Sequence, residues 1–250
     1  MTALRNTFEP FVRDCALALA RFTRLRPPLP DRAAPAAASD PAALAQVPGV
    51  GWLVGMVACL VFALVSVLLR GNPWSPAVAA VLSTLATVML TGALHEGALF
   101  RTADRLDAAQ PGASGSALGV IASLLLIAGK LALLAALAAA SEIALMSALF
   151  AAHVVSRYLP LVVAHRLAPA TLEPRALGLA ALWCLVPLLL MVPAGGAAFL
   201  GTALLFSVAA AFAMLHYVRR RGAPFDDGVL GAVQQVCEAG FYLGAAIAAG

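Results

Sequence analysis

The chain has 250 residues, of which 62% are hydrophobic and only 11% are charged. Soluble domains have about half of their residues apolar and about a quarter charged, and a domain of this size cannot bury such an excess of apolar surface in one core. The composition therefore predicts an integral membrane protein. The net charge of +4 does not indicate a nucleic-acid partner, because the arginines flank apolar segments instead of forming a stripe with aromatic residues.

The chain begins with residues 1–49, which we predict to be a cytoplasmic segment ahead of a transmembrane helical domain over residues 50–250. Within this segment, Phe11 to Leu25 mixes apolar residues with arginines. This pattern is typical of an amphipathic helix that lies on the membrane surface or docks under the bundle. The stretch from Ala33 to Ala45 is rich in alanine and proline and is predicted to be a linker without regular structure.

Long apolar segments fill the rest of the chain. A helix needs about 20 mainly apolar residues to cross a bilayer, and seven segments meet or approach this length. The predicted fold class is therefore all-α, a polytopic membrane helical bundle of about seven transmembrane helices plus the N-terminal amphipathic helix. The seven segments are Val50–Leu69, Trp74–Leu94, Ala117–Ala140, Ile143–Ala164, Ala176–Pro193, Ala197–His216 and Val229–Ala249.

The distribution of basic residues tests this division of the chain. With seven spans, the N-terminus and alternate loops lie on one side of the membrane, and Arg70 is the single basic residue on the other. Because short loops rich in Lys and Arg stay in the cytoplasm, we expect the N-terminus there and the C-terminus in the periplasm. The basic residues on the expected cytoplasmic side are Arg5, Arg13, Arg21, Arg24, Arg26, Arg32, Arg101, Arg105, Arg166, Arg175, Arg219, Arg220 and Arg221.

The second predicted span ends at a histidine and a glutamate, and the longest connection between spans follows, from His95 to Ser116. We predict this connection to be a charged cytoplasmic loop, where function is expected because loops often carry binding residues. A histidine and carboxylates at such a position could hold a divalent cation against phosphate groups. Alternatively, the histidine and the glutamate only mark the membrane interface. The candidate ligands are His95, Glu96, Asp104 and Asp107.

Three of the predicted spans carry polar residues at bilayer depth. Charged groups there cost about 2.5–3.5 kcal/mol on insertion scales, so they usually face the interior of a bundle. One interpretation is a set of ties between helices, in which Lys130 neutralises Glu238 and Arg157 caps a carbonyl group. The other is a cationic cavity that opens to the cytoplasm and binds phosphoryl oxygens. Four-residue spacing places Gln234 and Glu238 on one helix face. The polar residues are Lys130, His153, Ser156, Arg157, Gln234, Gln235 and Glu238.

Several segments carry motifs that occur together in one known family. Thr91-Gly92-Ala93-Leu94-His95-Glu96 matches the start of the motif TGALHEDGLADTADG, and Lys130 falls where that family has a lysine in a leucine-rich span. The other segments are Phe22-Thr23-Arg24-Leu25 followed by prolines, Pro48 with Gly51 and Gly55, Ala151 to Arg157, and Leu230 to Gln235 with Glu238 and Phe241 to Leu243. In this order and spacing, the chain resembles the cobalamin synthase family, adenosylcobinamide-GDP ribazoletransferase, over nearly its whole length.

This resemblance implies a membrane phosphotransferase of late cobalamin biosynthesis in the bacterial inner membrane. Such an enzyme joins α-ribazole, or its 5′-phosphate, to adenosylcobinamide-GDP, releases GMP and forms adenosylcobalamin or its 5′-phosphate. The implied cofactor is Mg²⁺, which carboxylates would hold against the diphosphate while basic groups orient the phosphates. The expected partners are the two substrates, the lipid bilayer and other corrinoid-assembly enzymes, with no nucleic acid.

The resemblance also assigns roles to residues of this chain. The catalytic residues that it implies are His95, Glu96 and Asp104. The substrate-binding residues that it implies are Arg24, Lys130, Ser156, Arg157, Gln234, Gln235 and Glu238. The metal ligands that it implies are Glu96, Asp104 and Asp227.

The chain departs from the family pattern where acids are expected. Aligned without gaps, the first aspartate after His-Glu in the family motif falls on Gly97 and the second on Arg101, so that only the third is present, as Asp104. The family segment GGxTGD falls on Ala223 to Gly228, which reads Ala-Pro-Phe-Asp-Asp-Gly. Losing two carboxylates weakens a site for a hard cation. A further hypothesis is therefore that Arg101 replaces part of the positive charge of the metal.

Two other functions stay open at this point. The chain could keep the fold of the family as a corrinoid-binding or assembly subunit without its chemistry. A small transporter ranks last, because the chain lacks evident repeats and paired broken helices. Convergence of the candidate acids near His95 would favour the enzyme, and their separation would favour the subunit.

Overall fold

A computed structural model describes residues 2–28, 41–108, 117–167 and 172–250 of the chain. Within these ranges the chain forms α-helices and no strand, which confirms the predicted all-α class. The predicted linker from residue 33 to residue 40 lies outside the described residues. The helices are α1 (Thr2–Phe22), α2 (Pro41–Ala45), α3 (Val47–Leu68), α4 (Ser75–Thr91), α5 (Leu94–Ala108), α6 (Leu118–Ala140), α7 (Glu142–Leu167), α8 (Pro174–Arg220) and α9 (Asp227–Ala249).

Several helices have the length and composition of membrane spans. Helices α3, α6, α7 and α8 are long and apolar enough to cross a bilayer, and the bent pair α4 and α5 makes a fifth if it counts as one span. These helices support a polytopic membrane bundle, but they do not confirm the predicted count of seven. Helix α9 has 23 residues and is not among them. Its apolar sequence is interrupted by Gln234, Gln235 and Glu238.

Helix α8 covers two of the predicted spans. It has 47 residues, and at about 1.5 Å per residue this length is roughly twice the hydrocarbon thickness of a bilayer. The helix is interrupted at Gly196, which has φ 82° and ψ 178°. Glycine adopts this left-handed region without steric cost. The break coincides with the gap that separates the predicted spans Ala176–Pro193 and Ala197–His216.

The N-terminal helix docks on the bundle. Helix α1 begins at Thr2 rather than near Phe11, and it ends at Phe22. Ala18 is fully buried and belongs to one apolar cluster with Val54 of α3. Of the two placements that the sequence allowed, the structure therefore favours docking under the bundle over a position on the membrane surface alone.

The predicted linker becomes helical before the first span. Residues Pro41–Ala45 form α2, in which Ala43 and Ala45 are buried, and α3 begins at Val47 rather than Val50. The expectation of a linker without regular structure is therefore wrong for its C-terminal end. Alanine has the highest helix propensity, and α2 gains further support because it packs against α8.

The centre of the bundle lies where α3, α7, α8 and α9 meet. Glycines allow these helices to approach closely, as is typical of membrane bundles. A Cβ on Gly51 of α3 would lie 2.5 Å from the carbonyl oxygen of His153 in α7, and one on Gly244 of α9 would clash with the carbonyl oxygen of Thr202 in α8. Helices α7 and α9 therefore present most of their side chains to other helices.

The segment from Thr91 to Glu96 forms a corner between α4 and α5. Gly92 ends α4 with φ 68°, and Ala93 follows with φ 56°, a left-handed conformation that is uncommon for residues with a Cβ. The two helices diverge by 86°. The predicted loop from His95 to Ser116 is therefore wrong over Leu94–Ala108, which forms α5. Ala98, Leu99, Ala103 and Leu106 recur at helical spacing and are buried, with α5 packed on α9.

Candidate active site

A cavity of about 220 Å³ opens between the ends of α1, α5, α7 and α9. Three arginines line it, Arg21 from α1, Arg101 from α5 and Arg157 from α7, and one carboxylate, Asp227, lies at its edge. We call this space the basic cavity. The volume is below the roughly 300–1,000 Å³ of sites that enclose a whole small ligand. The basic cavity is therefore large enough for a part of a substrate, such as a phosphate-bearing group.

Helix α1 closes the basic cavity on one side. The ring of Phe22 stacks on the ring of His95 with centroids 6.3 Å apart and an angle of 10° between the planes. Arg21 donates to the carboxylate of Asp227 over 3.5 Å and lies over the ring of Phe22. The docking of α1 therefore brings an arginine and an aromatic ring to residues that lie far away in the sequence.

Helix α5 supplies the opposite wall. Its first turn carries His95, which is 5% exposed, and the next turn carries Arg101, which is exposed to solvent. A Cβ on Gly97 would lie 3.1 Å from a terminal nitrogen of Arg101. The guanidinium group of Arg101 therefore lies over Gly97, in space that a side chain at that position would contest.

Three buried side chains in the wall have polar atoms without a hydrogen-bond partner among the described residues. These atoms are Nε2 of His95, Nε of Arg157 and Nε2 of Gln234. Each residue is at least 95% buried. A buried donor without a partner costs about 1–3 kcal/mol. Nε of Arg157 and Nε2 of Gln234 are N–H groups that can donate to a ligand, whereas Nε2 of His95 donates or accepts according to its tautomer.

A second polar group lies deeper in the bundle, and we call it the buried charge cluster: Lys130, His153, Gln235, Glu238 and Tyr242. Lys130 Nζ lies 2.6 Å from Oε1 of Glu238 and 3.2 Å from Oε1 of Gln235. The hydroxyl of Tyr242 donates to Glu238 over 3.3 Å, and Nδ1 of His153 lies 3.6 Å from the other oxygen of Glu238. The predicted neutralisation of Glu238 by Lys130 is therefore confirmed.

The two polar groups are connected through α5 and α7. Gln235 donates from Nε2 to Oε1 of Glu96 over 3.1 Å, and Arg157 donates to the carbonyl oxygen of His153 over 2.6 Å. The second contact confirms that Arg157 caps a carbonyl group. A small cavity of about 10 Å³ between Lys130 and His95 touches both groups. The basic cavity and the buried charge cluster are therefore joined by a continuous set of polar contacts.

The candidate acids do not converge on one point. Asp104 accepts from the backbone N–H of Gly119 over 2.7 Å and stabilises the start of α6, since anions are favoured at helix N-termini. Asp226 pairs with Arg105 and accepts from the N–H of Val229 as the N-cap of α9. The acids are therefore distributed over separate structural contacts.

Arg105 and the backbone N–H groups at the start of α9 hold the pKa of Asp226 below its usual value, and the hydrogen bond from Arg105 is the largest cause. Asp226 therefore stays ionised in its ion pair. This pair ties the end of α5 to the start of α9, which are the two helices that supply His95 and Gln234 to the basic cavity.

The described side chains do not fit a binding site for Mg²⁺. In the part of the chain that the structure describes, no group of three His, Cys, Asp or Glu side chains is arranged to hold a metal ion. Mg²⁺ prefers several oxygen ligands, and Glu96, with one oxygen bound to Gln235, supplies one carboxylate near the basic cavity. The predicted metal roles of Glu96, Asp104 and Asp227 therefore stay predictions without support from the geometry.

The other predicted site residues divide between the two polar groups. His95, Arg157 and Gln234 line the basic cavity, whereas Lys130, Gln235 and Glu238 form the buried charge cluster. Gln234 and Glu238 therefore do not act together, although they share a helix face by spacing.

Two residues with predicted binding roles lie elsewhere. Arg24 is exposed and packs over Gly92 at the corner, and Ser156 is fully buried away from the basic cavity wall. The sequence prediction did not identify Arg21 as a site residue, although it stands directly before the motif segment that begins at Phe22. Its role depends on how α1 docks.

Comparison with known proteins decides the family. The family model described as cobalamin-5-phosphate synthase matches residues 14–246. The chain belongs to this family. Its curated relatives include proteins called adenosylcobinamide-GDP ribazoletransferase that the chain covers over nearly their whole length. One from Polaromonas sp. is 38% identical over 97% of this chain and 99% of the relative. One from Polaromonas naphthalenivorans is 35% identical, over 95% and 98%. No solved structure matches the chain.

Membership of the cobalamin-5-phosphate synthase family makes the chain an enzyme homologue with a membrane fold. The matched residues contain every residue that lines the basic cavity. The family assignment from motifs is therefore confirmed, and the basic cavity lies inside the matched part of the chain.

Proposed function

We propose that this chain is a membrane phosphotransferase that joins α-ribazole, or its 5′-phosphate, to adenosylcobinamide-GDP and releases GMP. The product is adenosylcobalamin or its 5′-phosphate. Three observations support the proposal: the family match over most of the chain, the names of the curated relatives, and a cavity with three arginines. The third carries the assignment of the site.

The reaction needs a place for a diphosphate and a group that takes a proton. The attacking hydroxyl oxygen of α-ribazole forms a bond to the phosphorus that carries cobinamide, and the bond from this phosphorus to the bridging diphosphate oxygen breaks. GMP leaves with that oxygen, and the proton of the hydroxyl passes to a base. Such transfers depend mainly on positioning and on stabilisation of the phosphate charge.

The basic cavity offers residues for both tasks. Arg157 and Arg101 bind phosphoryl oxygens, because guanidinium groups form charge-assisted hydrogen bonds with them. His95 takes the proton at Nε2, which is buried and has no partner among the described residues. The stacked ring of Phe22 keeps the imidazole in position. The buried charge cluster holds α9 and α6 together beneath these groups.

Mg²⁺ enters this proposal only as an ion that arrives with the diphosphate. The described side chains do not form a set of ligands for it, and no step of the reaction is assigned to it. The proposed location is the bacterial inner membrane, with the N-terminus in the cytoplasm and the C-terminus in the periplasm. The distribution of arginines supports this orientation. Association with other corrinoid-assembly enzymes stays part of the proposal.

A second candidate function is a corrinoid-binding or assembly subunit without transfer activity. The separation of Asp104, Asp226 and Asp227 favours it, because each of these acids has a structural partner. Under this alternative the basic cavity would still bind substrate, but no new bond to phosphorus would form.

Purified protein in liposomes, incubated with adenosylcobinamide-GDP and α-ribazole, distinguishes the two functions. The enzyme releases one GMP for each corrinoid product formed, and both are measured by liquid chromatography. Complementation of a bacterial strain that lacks this transferase provides the second measurement. Binding of adenosylcobinamide-GDP without product at any Mg²⁺ concentration, together with failed complementation, would establish the subunit instead.

A further inference from the structure

Among the described residues, the wall of the basic cavity carries more cationic than anionic side chains. Three guanidinium groups, those of Arg21, Arg101 and Arg157, meet the carboxylate of Asp227. Asp227 is 85% exposed at its side chain and contacts Arg21 over 3.5 Å, so an aqueous environment weakens this pair. Among the described residues of the wall, Asp227 is the one carboxylate and its contact is with Arg21, so a dianionic or trianionic group would meet Arg101 and Arg157 without competition from it.

The buried part of the wall offers the matching hydrogen-bond donors. Nε of Arg157 and Nε2 of Gln234 are N–H groups that have no partner among the described residues, and both side chains are 3% exposed. Both residues line the basic cavity. A diphosphate has only acceptor oxygens, so it can satisfy both groups. An apolar ligand would leave them unsatisfied at a cost.

Gly97 and Arg101 together set the sign of the charge on the α5 side of the cavity wall. They lie four residues apart on α5, and a Cβ at Gly97 would be 3.1 Å from a terminal nitrogen of Arg101. An aspartate at this position would meet the guanidinium as an ion pair on one helix face. Glycine leaves the guanidinium without this partner. In the part of the chain that the structure describes, Arg101 therefore has no carboxylate partner in the cavity wall, whereas two acids at these positions would create a cation-binding surface.

From these contacts we propose that the chain binds the diphosphate of its substrate directly through Arg101 and Arg157, with no requirement for a metal ion held by the protein. This inference rests on the proposed function and concerns how its site neutralises phosphate charge. Two of the acids that could supply metal ligands have other partners: Asp104 binds the start of α6, and Asp226 binds Arg105.

The first experiment measures GDP binding to the purified full chain in detergent micelles by isothermal titration calorimetry. GDP serves as the probe because it carries the diphosphate. We expect binding in EDTA within about threefold of binding in Mg²⁺. We also expect Arg101→Gln to weaken binding in EDTA by tenfold or more, since charge-assisted hydrogen bonds to phosphate are strong.

Arg105→Gln is the matched control for this substitution. It removes an arginine from the same helix, but Arg105 pairs with Asp226 and does not line the basic cavity. We expect its GDP affinity to stay within threefold of the wild type. Equal losses in the two variants would overturn the proposal, because they would report a general effect of positive charge.

A second pair of variants keeps Arg101 and changes the residue beside its guanidinium group. Gly97→Asp places a carboxylate beside the guanidinium, and Gly97→Ala adds only the Cβ. We expect Gly97→Asp to weaken GDP binding in EDTA at least tenfold, with Mg²⁺ restoring most of it. Gly97→Ala should lose less than threefold, because the end of a flexible arginine can move. If both variants bind GDP as the wild type does, the proposal is wrong.

The same proteins separate this inference from the proposed function. If wild-type binding of GDP falls tenfold or more in EDTA while transfer of cobinamide phosphate proceeds in Mg²⁺, the inference fails and the proposed function stands. If GDP binds in EDTA through Arg101 and no corrinoid product forms, the proposed function fails and the binding site stands.

Discussion

The basic cavity and the buried charge cluster contain similar types of residue, but they differ in how these residues are paired. In the buried charge cluster, the positive charge of Lys130 lies 2.6 Å from the negative charge of Glu238, and Gln235 and Tyr242 complete the contacts. In the basic cavity, Arg157 and Gln234 have buried donors without partners among the described residues. The charges inside the bundle are thus paired with each other, whereas the donors beside the open space are left for the ligand that we propose.

Helix α9 contributes to both regions because of its geometry. Gln234 and Gln235 are neighbours in the sequence, and adjacent residues of a helix point about 100° apart. Gln234 therefore reaches the basic cavity, while Gln235 reaches Lys130 and Glu96. One turn of helix thus joins the site to the charged centre of the bundle.

The largest expected effect comes from breaking the ion pair in the buried charge cluster. Lys130→Met leaves Glu238 without its cation, and removing one partner of a buried pair costs about 3–5 kcal/mol. Unfolding of the protein in mixed detergent micelles, followed by circular dichroism, measures this loss. The double variant Lys130→Met with Glu238→Leu should regain most of the stability. A single variant as stable as the wild type would show that Glu238 is neutralised in another way.

A large effect on activity, without a matching effect on stability, is expected at the basic cavity. His95→Asn removes the proposed base, and loss of such a group lowers the rate about 10²–10⁴-fold. The measurement is formation of corrinoid product by protein in liposomes. His165→Asn is the control, because His165 contacts the carbonyl of Leu172 outside the basic cavity. Activity of His95→Asn within threefold of the control would exclude His95 as the base.

Substitutions at two glycines of α9 are expected to have effects of intermediate size. A Cβ on Gly231 would lie 2.5 Å from Cβ of Ala98 beside the basic cavity, and one on Gly244 would clash with Thr202 at the other end of the helix. Each change to alanine should cost about 1–3 kcal/mol of stability through overpacking. Gly231→Ala should also lower the rate of product formation about tenfold, since small displacements of catalytic groups are costly, whereas Gly244→Ala should not.

Gly201→Ala is the control for both substitutions. A Cβ at Gly201 meets no atom within 4 Å, so alanine should stabilise α8 by up to about 1 kcal/mol through its helix propensity. Equal effects of Gly231→Ala and Gly244→Ala on the rate would contradict the assignment of the active site to the end of α9 that carries Gly231.

The smallest expected effect concerns the exposed pair of Arg105 and Asp226. Because such pairs contribute about 0.2–1 kcal/mol, Arg105→Gln should lower the free energy of unfolding by no more than this at pH 7. The pKa of Asp226 is lowered in the folded protein, so the stabilisation is present above its unfolded pKa of about 3.9 and is lost as the pH falls through the lower folded value. Unfolding curves of the two proteins should therefore begin to converge below about pH 4 and coincide only when the pH is below the folded pKa of Asp226.

Composition and periodicity determined the class of this protein. Long apolar segments can satisfy their backbone groups in a bilayer only as helices, so the all-α membrane fold followed from the sequence. The order of the motifs gave the family. The sequence also suggested the contact between Lys130 and Glu238 as one of two interpretations. Few side chains inside a bundle can neutralise a buried charge, so the two residues were natural partners.

Only the tertiary structure decided how the site is assembled. The docking of α1 brings Arg21 to the basic cavity, and the turn at Gly92 and Ala93 converts an expected loop into α5, which carries His95 and Arg101. The structure also shows the contacts of the acids that the motifs suggested as metal ligands: Asp104 binds the start of α6, Asp227 contacts Arg21, and Glu96 accepts from Gln235. Helical periodicity shows which residues share a face, but it does not show which faces meet, because that depends on packing between helices that lie far apart in the chain.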